Sequence, residues 1–170
     1  SNMTWEQHRE ILEKHHTSNE HNDCEYNVIF RLLNAADYGV PQLRHRVVIV
    51  GFRKDVNAHW TFPQATHSKE TLLYSKWISG DYWERHSLVR PKENPLSIQA
   101  QKHLREVVEE TDRPLAPWQT TRDAIGDLPD PRGKAAGNYD NHIFRGGAKI
   151  YPGHSGSLLD EPSKTIKAGA

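Results

Sequence analysis

The alternation of apolar and polar positions predicts one helix and then two strands in the first third of the chain. Apolar residues recur at helical spacing from Thr4 to His16, and Thr4 can cap that helix. The runs Tyr26–Leu33 and Arg46–Phe52 are short and rich in apolar residues, which is typical of strands. The second run is apolar on both faces, so we expect a strand covered on both sides, as in α/β proteins.

The second half of the chain carries two further helix signals. Ser97 can cap a helix that continues to Glu110 and ends before Pro114. Thr120 is followed three positions later by Asp123, the spacing of a capping box, which predicts a short helix there.

In two long stretches the apolar residues follow no sustained helical or strand period. Residues 53–95 contain scattered aromatic side chains, and we expect irregular structure with short strands, in which most of the aromatics form a small core. Residues 132–157 are glycine-rich and predict a loop. No internal repeat is visible.

Composition and charge limit the kind of protein. Hydrophobic residues make up 35% of the chain, with 11 Gly and 10 Pro, so the protein is globular but rich in loops, and a complete catalytic domain is not expected. The formal net charge of +0 argues against a uniformly basic nucleic-acid binder. However, residues 31–54 and 132–170 are basic, and a fold that joins them would form an electropositive face for phosphates.

The single cysteine and the lack of long apolar runs indicate the compartment. Cys24 has no partner for an internal disulfide, and neither a signal peptide nor a membrane-length apolar stretch is visible. We therefore expect a soluble, cytoplasmic protein. Ser1 and Asn2 precede Met3 like the remnant of an expression tag, and the chain ends at Ala170 without a capping element, which favours a piece of a longer protein.

Three polar side chains with a long reach lead into the second strand. Gln42, Arg44 and Arg46 alternate at a period of two, so in an extended chain all three project to one side. Arginine offers a planar fork for a phosphate or a base edge, and glutamine both donates and accepts hydrogen bonds. The spacing is compatible with a nucleotide site, but equally with a solvated strand entrance.

The residues around this row resemble the eighth sequence motif of the DNA cytosine-5 methyltransferases. That motif is an Asn-Ala-x-Asp-Tyr-Gly-x-Pro-Gln-x-Arg-x-Arg run that enters a hydrophobic strand. The matching residues are Asn34, Ala35, Asp37, Tyr38, Gly39, Pro41, Gln42, Arg44 and Arg46. Residues 122–131 resemble the short helix in or after the target-recognition region of this family. Residues 151–170 are similar to the segment that returns to the catalytic domain, with its Pro-Ser-x-Thr-Ile run.

The resemblance implies methyl transfer from S-adenosylmethionine to carbon 5 of a cytosine flipped out of double-stranded DNA. Enzymes of this family use a cysteine thiolate on carbon 6 and a supporting glutamate. Arg46 would approach the flipped cytosine and stabilise developing negative charge, while Arg44 orders the neighbouring catalytic groups and Gln42 lines the site. Thr165 would contact the DNA backbone near the target. The residues implied to bind DNA are Gln42, Arg44, Arg46, Thr165, Lys164 and Arg145.

Several parts of the family pattern do not occur in the chain. It contains no Phe-x-Gly-x-Gly cofactor loop, no Pro-Cys dipeptide and no Glu-Asn-Val run, and Cys24 lies in the wrong context for a nucleophile. We therefore expect an α+β fragment. Residues 1–53 would be the end of the methyltransferase catalytic domain, with a helix and a strand pair from the edge of its α/β sheet. Residues 54–170 would be a small, loop-rich target-recognition domain and the return segment.

The expected properties of the fragment follow from this division. The fragment alone would bind no S-adenosylmethionine and transfer no methyl group, and it would bind DNA weakly. Its partners would be double-stranded DNA and the remainder of the methyltransferase chain, and it would have no membrane partner.

Two other functions stay open at this stage. A freestanding DNA-binding module could carry the same recognition region without catalysis. A metal-dependent nuclease could use histidines such as His142, but the flanking acidic ligands are missing. The cluster of His15, His16, His21 and Cys24 invites a zinc site, but its spacing matches no paired-ligand module, so no metal is expected.

Overall fold

The computed structural model describes residues 26–144, 146 and 156–165. Its regular elements are β1 (Tyr26–Asn34), β2 (His45–Arg53), β3 (His67–Ser68), α1 (Lys69–Tyr74), α2 (Asp81–Arg85), α3 (Ile98–Glu109), β4 (Ala116–Pro117) and α4 (Thr121–Ile125). Short 3-10 helices occupy Ala35–Tyr38, Lys54–Val56 and Lys134–Asn138, and a π-helical turn occupies Ser75–Ser79. The helix predicted at residues 4–16 and the His–Cys cluster that was weighed as a zinc site lie outside the described residues.

The two predicted strands form an antiparallel pair, which confirms both. Their register runs from Tyr26 opposite Arg53 to Asn34 opposite His45. Residues that face each other across the pair share one side of the sheet. On one side, Phe52 contacts the ring of Trp60 at 6.5 Å between centroids. That side therefore has a cover supplied by the segment that follows β2.

The opposite side of the strand pair is apolar and exposed. Val47 is 51% exposed, Ile49 68% and Val28 47%. The prediction that the second strand is covered on both sides is therefore wrong for the described part of the chain. The physical reason is that the described residues supply a packing layer for one face alone, although β2 carries apolar side chains on both.

The segment predicted to be irregular with short strands is partly as expected, since residues 57–66 and 86–95 are irregular and β3 is a short strand. The prediction is wrong for residues 69–85, which fold mainly as short helices. Ser68 caps α1 by accepting a hydrogen bond from the Thr71 amide at 3.0 Å. Gly80, at φ 94°, ends the π-helical turn and begins α2. Elements of five or six residues are too short to show a helical period in the sequence. The expected small core is confirmed: Leu72, Tyr82 and Trp83 are buried, and Trp77, Leu88 and Trp118 pack against them.

Both later helix predictions are confirmed, with caps as expected. The Ser97 side chain accepts a hydrogen bond from the Ala100 amide at the start of α3. Thr120 and Asp123 form the reciprocal capping box of α4. A two-residue parallel pairing of β3 with β4 joins the start of this helical unit, residues 67–125, to its later part.

Candidate functional site

The loop between the two strands, residues 35–44, is closed at its neck by Asn34. The buried Asn34 side chain accepts hydrogen bonds from the Ala36 amide at 3.4 Å and the Arg44 amide at 3.1 Å. The Ala35 amide donates to the Arg44 carbonyl at 3.0 Å. Asparagine suits this position because its side chain caps the 3-10 turn and satisfies a backbone group across the loop at once.

Asp37, Tyr38 and Gly39 attach this loop to neighbouring segments. Asp37 accepts a hydrogen bond from Nε1 of Trp118 at 2.9 Å. The Tyr38 hydroxyl donates to the Pro63 carbonyl at 3.0 Å. Burial raises the pKa of Asp37 above its ordinary value, and the hydrogen bond from Trp118 only partly offsets that effect. These motif residues therefore hold the strand pair against the helical unit.

Gly39 allows a close approach between the loop and β3. Its φ of 84° lies in the left-handed region, which disfavours side chains. A Cβ atom at this position would lie 2.7 Å from Cε1 of His67. The glycine is therefore required both by the turn and by the neighbouring imidazole.

The return segment, defined here as residues 156–165, pairs with the end of the loop beside Gln42. Gln42 forms a parallel bridge with Ser163. The Leu43 amide donates to the Ser163 carbonyl at 2.8 Å, and the Thr165 hydroxyl donates to the Leu43 carbonyl at 2.5 Å. The structure therefore brings Thr165 to Leu43, the neighbour of Gln42, although the two segments lie far apart in sequence. Lys164 is exposed, and its amide donates to the Ser157 hydroxyl.

Arg44 and Arg46 are exposed beside this junction. Arg46 stands opposite Leu33 in the strand pair, and its Nη1 donates to the His45 carbonyl at 2.7 Å. Among the described residues, neither guanidinium forms an ion pair with a carboxylate. In the described part of the chain, both guanidinium groups therefore leave most of their N–H donors without a protein partner. Arg145 lies outside the described residues.

A buried polar network near the return segment was not foreseen from the sequence. The Tyr82 hydroxyl, which is fully buried, donates to Asp160 at 2.8 Å and lies 3.1 Å from the Thr120 hydroxyl. Burial raises the pKa of Tyr82 to about 12, and the adjacent Asp160 carboxylate adds to that effect while Thr120 opposes it. No local sequence signal links these side chains, because they come from three separate segments.

The raised pKa of Tyr82 predicts a loss of stability in alkali. Below about pH 10 the phenol is protonated in both folded and unfolded chains, so the contribution to the free energy of unfolding is complete. As pH rises to about 12, the unfolded phenol ionises first, and about 2–3 kcal/mol is lost. Urea unfolding from about pH 9 to about pH 12 measures this loss. Tyr82→Phe should remove the corresponding part of the pH dependence; an unchanged slope in that variant would contradict the assignment.

The described residues contain neither a candidate metal site nor a candidate membrane span. No group of three or more His, Cys, Asp or Glu side chains within the described part could hold a metal ion. His142, considered for a nuclease, contacts the Pro129 carbonyl through Nε2 at 2.7 Å. Among these residues no helix combines the length and apolar character needed to cross a bilayer.

Comparison with known proteins places these features in a family. The sequence model of C-5 cytosine-specific DNA methylases matches residues 2–145. The type II methyltransferase M.BsuRI of Bacillus subtilis is 58% identical over 48 residues, 28% of this chain and 11% of the relative. M.MthTI of Methanothermobacter thermautotrophicus is 54% identical over 50 residues, 29% of this chain and 15% of the relative.

A longer match has lower identity. The putative type II methyltransferase M.OihORF3336P of Oceanobacillus iheyensis is 32% identical over 110 residues, 62% of this chain and 20% of that protein. The chain thus spans only a tenth to a fifth of the length of these relatives. No solved structure matches it significantly. Since the family model covers most of its length, the chain belongs to the C-5 cytosine-specific DNA methylase family.

Proposed function

We propose that this chain is the target-recognition part of a type II DNA cytosine-5 methyltransferase. The whole protein would transfer a methyl group from S-adenosylmethionine to carbon 5 of cytosine in double-stranded DNA. The observation that carries the proposal is the junction of Gln42 with the return segment, beside the exposed Arg44 and Arg46. The type II names of the relatives also support a restriction–modification setting. A cytoplasmic location is part of the same proposal.

Each residue of the junction has a chemical task in this proposal. Arg46 stabilises the negative charge that develops on the flipped cytosine during attack on its ring. Arg44 orders the neighbouring catalytic groups, and Gln42 lines the base site with a group that donates and accepts. The further DNA contacts are assigned to Thr165, Lys164 and Arg145. Lysine and arginine suit phosphate contacts because they neutralise its charge.

The nucleophile and the cofactor pocket are assigned to the remainder of the protein. S-adenosylmethionine, when bound there, supplies the methyl group. The donors that the family pattern implies for it do not fit this chain, because the sequence has no Phe-x-Gly-x-Gly loop, and the nucleophilic Pro-Cys dipeptide is also absent. The same remainder would cover the exposed apolar face around Val47 and Ile49, since large apolar patches mark interfaces.

This division of labour predicts that the 170-residue chain is inactive alone. Incubated with DNA and labelled S-adenosylmethionine, it should incorporate no methyl groups, whereas the intact protein should label cytosine at carbon 5. The chain should bind a DNA duplex weakly, with affinity that falls steeply as salt rises, because phosphate contacts release counterions. Gel-shift titrations across a salt series measure this dependence. Robust methyl incorporation by the chain alone would overturn the proposal.

A freestanding DNA-binding module is the second candidate, favoured by the lack of a nucleophile motif in the sequence. The gene sequence upstream of Met3 separates the two candidates. A Pro-Cys dipeptide and a glycine-rich cofactor loop encoded there would establish the enzyme. Their absence from the whole gene would favour the binding module.

A further inference from the structure

Asp160, in the return segment, is held by three side chains of the helical unit. Its Oδ1 accepts hydrogen bonds from the Tyr82 hydroxyl at 2.8 Å and from Nε of Arg122 at 2.7 Å. Its backbone carbonyl accepts from Nζ of Lys76 at 2.9 Å. A single residue thus receives three donors, two of them cationic, from π-helical, α2 and α4 positions. Hydrogen bonds in which one partner is charged are stronger than hydrogen bonds between neutral groups.

The donors are themselves fixed in place. Tyr82 is fully buried, and Lys76 is only 7% exposed. The Lys76 ammonium lies 5.5 Å from the ring centroid of Tyr82 and 5.7 Å from that of Trp83. Burial lowers the pKa of Lys76, although the nearby carboxylates of Glu161 and Asp160 oppose this effect. These donors therefore form a rigid socket rather than a mobile surface contact.

The carboxylate of Asp160 is ionised in this socket. Burial raises its pKa, but the hydrogen bonds from Arg122 and Tyr82 and the charges of Arg122 and Lys76 outweigh burial, so the net pKa is below the ordinary value. An asparagine amide at this position would carry no negative charge to compensate the positive charges of Arg122 and Lys76. Asp160→Asn therefore weakens the socket while changing the shape of the side chain very little.

The socket lies next to the contacts that attach the return segment to the loop. Only Glu161 and Pro162 separate Asp160 from Ser163, and Pro162 is buried. The Glu161 carbonyl accepts from the Thr121 amide at 2.8 Å. The Ser163 amide then donates to the Pro41 carbonyl at 2.9 Å, and Thr165 reaches Leu43. The chain from Asp160 to Thr165 has little slack, because backbone contacts fix its intervening residues.

We propose that Asp160 is a positioning residue: its socket in the helical unit sets the return segment against residues 41–43 and so fixes Thr165 at Leu43, next to Gln42. The positioning of the return segment by Asp160 is independent of the proposed function. Only its effect on methyl transfer rests on that function. The alternative is that Asp160 serves only the stability of the helical core, with no effect at the junction.

Amide hydrogen exchange on the 170-residue chain separates these two roles. Asp160→Asn should speed exchange at the Leu43 and Ser163 amides by about tenfold, while amides of the β1–β2 ladder keep their protection. Asp127→Asn is the matched control, since it makes the same substitution at an exposed carboxylate two residues after α4 and should leave both amides unchanged. Unchanged exchange at Leu43 and Ser163 in Asp160→Asn, or equal acceleration everywhere, would overturn the proposal.

A milder variant covers the case in which Asp160→Asn does not fold. Tyr82→Phe removes one donor to Asp160 and keeps the ring in the core. It should accelerate the same two amides, by less than Asp160→Asn would. Acceleration confined to amides of the helical unit would contradict the positioning role as clearly as no change.

Methyl transfer by the intact protein gives the functional readout. If Asp160 acts through Thr165, the double variant Asp160→Asn/Thr165→Val should lose no more turnover than the worse single variant, and KM for S-adenosylmethionine should not change. Additive losses would refute the coupling. A wild-type protein that transfers no methyl group would instead refute the proposed function and leave the exchange result standing.

Discussion

Replacing Arg46 by alanine in the intact protein is expected to lower the turnover number for methyl transfer by about 100-fold. Arg46 carries a fixed cation at the start of β2, is exposed beside the Gln42 junction and has no carboxylate partner among the described residues. A cation aimed at charge that develops in the transition state contributes to the rate more than to ground-state binding. KM for S-adenosylmethionine should therefore stay within about twofold. Single-turnover methylation of duplex DNA measures the chemical step directly.

Two further variants define which property of Arg46 matters. Arg46→Lys keeps the charge but loses the planar fork, so it should recover only part of the rate. Arg53→Ala is the matched control, because Arg53 is an exposed arginine at the other end of β2, paired with Asp55. It should leave turnover unchanged. An Arg46→Ala enzyme with the wild-type rate, or an equal loss in Arg53→Ala, would remove Arg46 from the site.

The sequence predicted the elements that have a strong local signal. The two strands, the Ser97-capped helix and the Thr120–Asp123 capping box depend on neighbouring residues, and all are confirmed. The helices between residues 69 and 85 were missed because each spans about one turn. Their stability comes from the aromatic core, which includes Trp118 from a later segment. Tertiary packing overrides weak local preference in such elements.

The candidate site likewise has one part that the sequence predicted and one part that it did not. Resemblance to the family motifs predicted that Gln42, Arg44, Arg46 and Thr165 belong to one site, and the pairing of the return segment brings Thr165 to Leu43, the neighbour of Gln42. The socket of Asp160 had no sequence signal. Tyr82 is 78 residues from Asp160 and Arg122 is 38 residues away, so only the folded chain brings their donors together. Contacts between residues so far apart in the sequence produce no local periodic pattern of apolar residues, so a short stretch of sequence does not reveal them.

The exposed face of β2 shows where the pattern of apolar residues misled the prediction of burial. A strand with apolar side chains on both faces was expected to be covered on both sides within an α/β sheet. In the described residues, one face has a cover and Ile49 on the other stays 68% exposed. If the proposed function is right, the remainder of the methyltransferase would supply the missing layer.

Replacing Gly39 by alanine should destabilise the chain by about 2–5 kcal/mol. About 1–2 kcal/mol comes from placing a side chain at a positive φ, and about 1–3 kcal/mol from the overlap with His67. The imidazole cannot move away freely, because its Nδ1 is hydrogen-bonded to the Thr66 hydroxyl at 2.8 Å. Urea unfolding measures the difference. Since Gly39 lies at the turn that leads to Gln42, the same change in the intact protein should also lower turnover.

The two parts of this cost can be measured separately within the same chain. Gly80 has a similar φ of 94°, but a Cβ there would meet only the Arg90 guanidinium at 3.4 Å, so Gly80→Ala reports the backbone cost of about 1–2 kcal/mol almost alone. In a His67→Ala background the overlap disappears, and Gly39→Ala should fall to the same value. If Gly39→Ala costs no more than Gly80→Ala in the wild-type background, His67 does not restrict this position. The close approach between the motif loop and β3 would then play no part in holding Gln42 at the junction.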